Sequence, residues 1–116
     1  MEYVKVCGLK TYNNIQLSIN HGATAVGFIY NVPESPRNLE KSKIKKLIKN
    51  VPKECRTVLV FKPKSIHEIK KNVNHLKADL YQIHGNFNNK ELEKISENFK
   101  KKIIVATKLN LSLIHI

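Results

Sequence analysis

The sequence predicts an α/β fold in which five parallel strands alternate with four helices. The predicted strands are nearly continuously apolar, which is typical of strands buried on both faces of a parallel sheet. The segments between them carry apolar residues at helical spacing, and 116 residues suffice for one domain. An open doubly wound sheet and part of a (β/α) barrel both fit this alternation. In either architecture, functional side chains lie at the carboxyl ends of the strands.

The five predicted strands are short apolar segments bounded by polar residues, glycine or proline. They cover residues 3–8, 23–30, 56–62, 78–85 and 102–108. In the first, YVKVCG, alternate side chains point to the same face. Tyr3, Lys5 and Cys7 therefore share one face and Val4 and Val6 the other, which places a thiol and an ammonium together near the end of the strand.

The four predicted helices are amphipathic and have recognisable ends. They cover residues 11–22, 39–51, 65–77 and 88–100. Gly22 is a typical helix stop, and Ser65 with Glu68 forms the pattern of a capping box. The expected core-facing residues are Tyr12, Ile15 and Ile19; Ile44, Leu47, Ile48 and Val51; Ile66, Ile69, Val73 and Leu76; and Leu92, Ile95 and Phe99.

The chain is strongly basic, with 21 Lys+Arg against nine Asp+Glu and a formal net charge of +12. The lysines alternate with helix-period apolar residues, which favours solvated helix faces; a basic nucleic-acid-binding module is the alternative function.

No segment approaches the ~20 apolar residues of a membrane span, and no secretory signal is visible. Cys7 and Cys55 are too few for a disulfide framework, so we expect a cytoplasmic protein with reduced thiols.

Three motifs near the predicted carboxyl edge have reactive or ligand-binding chemistry. Cys7 can act as a base or nucleophile, and Lys5 on the same face would lower its pKa; the alternative is an inert buried thiol. Arg37, in the SPR loop, offers a planar fork for a carboxylate or phosphate, unless it is merely solvated. Gln82 and His84 share the inner face of the fourth strand, where they bond each other or meet a ligand. Lys62 also ends a strand but is assigned no role.

The motifs VKVCGLK, ATAVGF, SPR, VLVF and QIHG, in this order and spacing, resemble the phosphoribosylanthranilate isomerase family. Members of that family read VKICG(L/I)T, GADAxGF, SPR, VGVF and QLHG at these places, and the agreement runs from residue 3 to about residue 108. The resemblance implies a TIM barrel of which about five of eight βα units are present. It also implies the Amadori rearrangement of N-(5-phosphoribosyl)anthranilate to 1-(2-carboxyphenylamino)-1-deoxyribulose 5-phosphate, a step of tryptophan biosynthesis.

The resemblance assigns roles to individual residues. Cys7 corresponds to the family's catalytic base, Arg37 to the arginine that meets the anthranilate moiety, and His84 to a histidine lining the same pocket. We add Gln82 and Lys5 as further substrate-binding residues. The expected partner is a small phosphoribosyl molecule, without nucleic acid, membrane, cofactor or metal, and the oligomeric state is open.

The domain organisation follows from the same resemblance. We expect residues 1–108 to form the N-terminal part of one TIM-barrel domain and residues 109–116 to be a non-native or truncated tail. The family's general acid, an aspartate after the sixth strand, and its phosphate-binding loops have no counterpart in this sequence. The chain alone is therefore expected to be inactive as an isomerase.

Overall fold

The computed structural model describes residues 3–99 and 102–106, which form a parallel sheet flanked by helices. The strands are β1 (Lys5–Val6), β2 (Ala25–Tyr30), β3 (Asn38–Leu39), β4 (Arg56–Phe61), β5 (Leu80–His84) and β6 (Ile103–Ala106). The helices are α1 (Tyr12–Asn20), α2 (Lys41–Lys49), α3 (Ile66–His75) and α4 (Asn89–Phe99). Along the sheet the order is β1-β2-β4-β5-β6, and β3 pairs with β2 outside this path.

The predicted architecture of parallel strands alternating with helices is confirmed. Every pairing between described strands is parallel, from β1 beside β2 to β6 beside β5. Strand order follows chain order, as in part of a barrel, apart from the additional β3. That two-residue strand lies where the sequence predicts the end of a loop and the start of a helix. Two residues are too few to show the alternation of apolar and polar side chains by which a strand is recognised in sequence.

The main core lies between the helices and one face of the sheet. Ile15, Ile44 and Ile69 on the helices are fully or almost fully buried against Phe28 and Phe61 on the strands. Not every predicted core position is buried. Tyr12 and Leu92, each in the first turn of its helix, are 46% and 37% exposed.

Two helix N-termini are capped by hydroxyl side chains. The Thr11 hydroxyl accepts a hydrogen bond from the backbone N–H of Asn14, and the Ser65 hydroxyl accepts one from that of Glu68. The return hydrogen bond of the predicted capping box is shifted by one residue. The Glu68 carboxylate accepts from the backbone N–H of Lys64 rather than from that of Ser65. The helix start itself is where the sequence predicts it.

The amino ends of β4 and β5 are joined by a side chain. One carboxylate oxygen of Asp79 accepts hydrogen bonds from the backbone N–H of Thr57 at 2.8 Å and from its hydroxyl at 3.2 Å. The backbone N–H of Asp79 in turn donates to the Thr57 hydroxyl and carbonyl, both at 3.0 Å. This reciprocal set fixes the register of the two strands at the end opposite the predicted site.

No helix in the described part of the chain is long and apolar enough to cross a membrane. The predicted tail, residues 109–116, lies outside the described residues, so its assignment stays a prediction.

We predict that Asp79→Ala lowers the free energy of unfolding by about 1–2 kcal/mol, because Thr57 loses a charged acceptor for two donors. Asp79→Asn keeps one carbonyl oxygen and is expected to lose less. Urea unfolding of the 116-residue chain followed by circular dichroism measures both. Equal stability of the alanine variant and the parent would show that the contact does not hold the strands.

Candidate active site

A cleft of about 350 Å³ opens at the carboxyl edge of the sheet, a size within the range of small-molecule sites. Cys7 follows β1 directly, Lys62 follows β4, and His84 is the last residue of β5. Arg37 reaches the cleft from the loop between β2 and β3. The residues lining the cleft are Cys7, Ile29, Val32, Glu34, Ser35, Arg37, Val60, Lys62 and His84.

Two glycines make room for the side chains of this cleft. Gly8 has a φ of +78°, and a Cβ on it would collide with Cδ of Arg37. At Gly27 a Cβ would lie 3.0 Å from the Cys7 sulfur. The Gly27 carbonyl also accepts hydrogen bonds from the backbone N–H groups of Gly8 and Leu9, at 3.0 and 3.2 Å. Gly8, two residues after the end of β1, thus lets the Arg37 side chain pack beside the thiol.

The loop that carries Arg37 is held by hydrogen bonds within the loop and by one from Lys10, in the segment that follows β1. The Asn38 side-chain oxygen accepts from the backbone N–H of Val32 at 2.7 Å, and the Ser35 hydroxyl accepts from that of Arg37 at 3.2 Å. Lys10 donates from Nζ to the carbonyl of Pro36 at 3.2 Å. The backbone beneath Arg37 is therefore positioned before any ligand binds.

The charge environment of Cys7 differs from the expectation. Burial raises the pKa of the thiol, while the Lys5 ammonium, the backbone N–H of Gly8 and the Arg37 guanidinium lower it in that order. Burial is the larger effect, so the pKa of Cys7 lies above its ordinary value. The predicted direction of the Lys5 contribution agrees with the structure, but the predicted net lowering is wrong because the thiol loses more hydration than the cations return.

Lys5 and Gln82 lie beneath the cleft rather than in its lining. Their side chains are 3% and 0% exposed. Lys5 donates from Nζ to Oε1 of Gln82, and Nε2 of Gln82 lies 3.4 Å from Nε2 of His84. Burial lowers the pKa of Lys5, and the nearby Cys7 opposes this shift. The structure shows a contact between Gln82 and His84, and His84 also lines the cleft, so binding of a ligand by His84 stays a prediction.

The structure thus brings Cys7, Arg37 and His84 together and places Lys5 and Gln82 below them. It also adds a pair without an assigned role in the sequence analysis. Lys62 donates from Nζ to Oε1 of Glu34 at 3.4 Å across the rim of the cleft, with both side chains more than half exposed. In the sequence, the position of Lys62 at the carboxyl end of a predicted strand was the one sign that it lies at the cleft. Glu34, in a proline-containing loop, has no such sign.

The comparisons with known proteins agree on one family. Residues 4–115 match the family model described as N-(5'phosphoribosyl)anthranilate (PRA) isomerase. A curated N-(5'-phosphoribosyl)anthranilate isomerase of Methanothrix thermoacetophila is 31% identical over 106 residues, which cover 91% of this chain and 51% of the relative. One from Methanosarcina acetivorans is 35% identical over 102 residues, 87% of this chain and 43% of the relative.

Solved structures show the same relationship. TrpF from Jonesia denitrificans superposes with a TM-score of 0.80 at 28% identity, covering 97% of this chain and 54% of that one. A phosphoribosyl anthranilate isomerase in complex with reduced 1-(o-carboxyphenylamino)-1-deoxyribulose 5-phosphate gives 0.75 at 26% identity, covering 92% and 53%. The chain spans about half the length of the curated relatives it matches. The resemblance and the partial TIM-barrel fold are thereby confirmed, and the chain belongs to the N-(5'-phosphoribosyl)anthranilate isomerase family.

Proposed function

We propose that this chain supplies the half of a phosphoribosylanthranilate isomerase active site that carries the base, and that the base is Cys7. The observation that carries the proposal is the cleft at the carboxyl edge of the sheet, which Cys7, Arg37 and His84 line together. These are the residues to which the family resemblance assigns the base and two substrate contacts. The two free thiols support a reducing, cytoplasmic location.

The chemistry of the cleft suits the proposed substrate, which carries a carboxylate on the anthranilate ring and a phosphate on the ribose. Arg37 supplies a planar guanidinium that forms paired hydrogen bonds with a carboxylate. Lys62 adds a second cation at the rim. The related isomerase solved with the reduced product binds a carboxyphenylamino compound. By analogy, we assign the anthranilate carboxylate to Arg37.

The proposed reaction requires a proton to leave C2 of the ribose-derived carbon chain. A general acid first protonates the ring oxygen, and the ring opens to a Schiff base at C1. The Cys7 thiolate then takes the C2 proton, and the C–H electron pair forms a C1–C2 double bond while the Schiff-base nitrogen accepts the displaced pair. Return of a proton to C1 and loss of the C2 hydroxyl proton give the ketone product. The acid lies outside this chain's assigned residues.

The protonation of Cys7 sets a condition on this step. Burial makes the thiol harder to ionise, and the same burial makes the thiolate, once formed, a stronger base. Lys5, the Gly8 N–H and Arg37 surround the sulfur with positive charge and donors that stabilise the thiolate. The site therefore combines a partly dehydrated base with cations that hold its charge.

We predict that Cys7→Ala lowers kcat/KM about 100- to 10,000-fold, the usual contribution of a positioned base. The measurement uses a complete isomerase chain in which residues 3–106 occupy the matching half, and it follows phosphoribosylanthranilate turnover and rescue of a tryptophan auxotroph. Cys55→Ala, which removes a thiol from the amino end of β4, is the matched control and is expected to keep both activities.

A Cys7→Ala chain that still rescued the auxotroph would overturn the proposal. If the same protein also bound a nucleic-acid probe with an affinity that fell steeply with salt, the basic binding module would be favoured instead.

We predict that alkylation of Cys7 follows a titration whose midpoint lies above the ordinary pKa of a cysteine thiol, because only the thiolate reacts and burial disfavours it. Iodoacetamide labelling of the 116-residue Cys55→Ala chain across pH measures this midpoint by mass spectrometry. Lys5→Met removes an ammonium that stabilises the thiolate and is expected to raise the midpoint further, whereas Lys5→Arg retains the charge. A midpoint below the ordinary value, or one unaffected by Lys5→Met, would contradict the electrostatic account.

A further inference from the structure

Lys5, Gln82 and His84 form a row of buried hydrogen-bonding groups directly beneath the cleft. Lys5 is on β1 and the other two are on β5, so their contact crosses the interior of the curved sheet between strands far apart in the pairing order. Buried groups of this kind need partners, and Gln82 provides one for Nζ of Lys5 and one for Nε2 of His84. His84 alone of the three also lines the cleft.

The first contact fixes the orientation of the Gln82 amide. A lysine ammonium has three N–H donors and no acceptor, so the atom of Gln82 that faces it must be the carbonyl oxygen. The structure has this arrangement, with Nζ of Lys5 donating to Oε1. An amide turned the other way would place N–H groups against an ammonium, with the hydrogens of both directed at each other.

The second contact then follows from the first. With the oxygen facing Lys5, the NH₂ group of Gln82 faces His84, and Nε2 of Gln82 lies 3.4 Å from Nε2 of the imidazole. The amide nitrogen can only donate, so the imidazole Nε2 must accept. A neutral imidazole that accepts at Nε2 carries its proton on Nδ1.

We propose that Lys5 and Gln82 are positioning residues that hold His84, in its neutral form, as the tautomer with its proton on Nδ1. The inference deepens the proposed function and rests on it for its catalytic meaning. Tautomer choice decides which imidazole nitrogen donates and which accepts, and therefore the hydrogen-bonding character of the ring that lines the cleft beside Cys7 and Arg37. A polar pair buried for packing alone would need only the contact between Lys5 and Gln82 and would leave the imidazole unspecified.

The direct test is the ¹⁵N spectrum of the histidines in the 116-residue chain, since the two ring nitrogens have distinct shifts when protonated and unprotonated. The spectrum is recorded at about pH 8.5, two units above the ordinary histidine pKa of about 6.5. The signal of His84 is assigned by its loss in His84→Gln. We expect Nε2 to have the shift of an acceptor nitrogen and Nδ1 that of a protonated one. A protonated Nε2, or an even mixture of tautomers, would overturn the proposal.

Two variants test the relay, by which Lys5 orients the Gln82 amide and the amide in turn selects the tautomer of His84. In Gln82→Glu the group beside His84 becomes a carboxylate, which accepts only, so the proton is expected on Nε2. In Lys5→Met the amide loses its fixed orientation, and a mixture of tautomers is expected. The matched control is Thr57→Val, which removes a buried hydroxyl from the opposite end of the same sheet and should leave the His84 signals unchanged. A Gln82→Glu chain that kept the Nδ1 proton would contradict the relay.

Activity supplies a second readout. In a complete isomerase chain, we expect Gln82→Glu to raise KM about tenfold, the effect of misplacing one hydrogen bond to the substrate, with a smaller change in kcat. The spectra need no substrate, so the two proposals fail separately. A mixed tautomer overturns the relay and leaves the isomerase proposal standing, whereas a fixed tautomer in an inactive enzyme supports the relay and overturns the isomerase function.

Discussion

The parallel pairing of β1 with β2 is the contact on which the site depends. It aligns Lys5 with Ala25 and Val6 with Val26, and it continues past the strand as the Gly8 and Leu9 N–H groups donate to the Gly27 carbonyl. This register brings the Cys7 sulfur over Gly27, where a Cβ would lie 3.0 Å from it and crowd it. A shift of one residue would reverse the faces of the strand and remove both the thiol and Lys5 from the interior.

The same short segment links Cys7, the proposed base, to the loop that carries Arg37. Gly8 adopts a positive φ that turns the chain out of the strand, and its missing side chain is replaced in space by Arg37. Lys10, two residues later, donates a hydrogen bond to the Pro36 carbonyl and so ties this segment to the loop. Six residues of sequence, from Lys5 to Lys10, therefore organise the thiol, the guanidinium and the buried polar row. Within it, the CGL motif supplies the thiol, the glycine that leaves space for Arg37, and the two N–H groups that bond the Gly27 carbonyl.

Much of the fold and the three principal cleft residues could be predicted from the sequence, because both leave periodic or local signals. Apolar strand segments indicated the parallel sheet, and the positions of Cys7, Arg37 and His84 at strand ends or in a connecting loop indicated a shared edge. The details that were wrong depend on three-dimensional surroundings. The pKa of Cys7 reflects how much burial outweighs Lys5, and the exposure of Tyr12 reflects which elements pack against the start of α1; neither has a sequence pattern. The pair of Lys62 and Glu34 joins two loops 28 residues apart and is equally invisible in sequence.

We propose that the thiol of Cys7 and the guanidinium of Arg37 meet one ligand in one cleft. The most direct measurement is the protection of Cys7 from iodoacetamide by reduced 1-(o-carboxyphenylamino)-1-deoxyribulose 5-phosphate in a complete isomerase chain. We expect a saturating concentration to slow labelling at least about tenfold, and Arg37→Met to shift the protecting concentration upward by about 10- to 100-fold, because a charged hydrogen bond is lost. Labelling that is unaffected by the compound, or protection that is indifferent to Arg37, would show that the two side chains do not serve the same site.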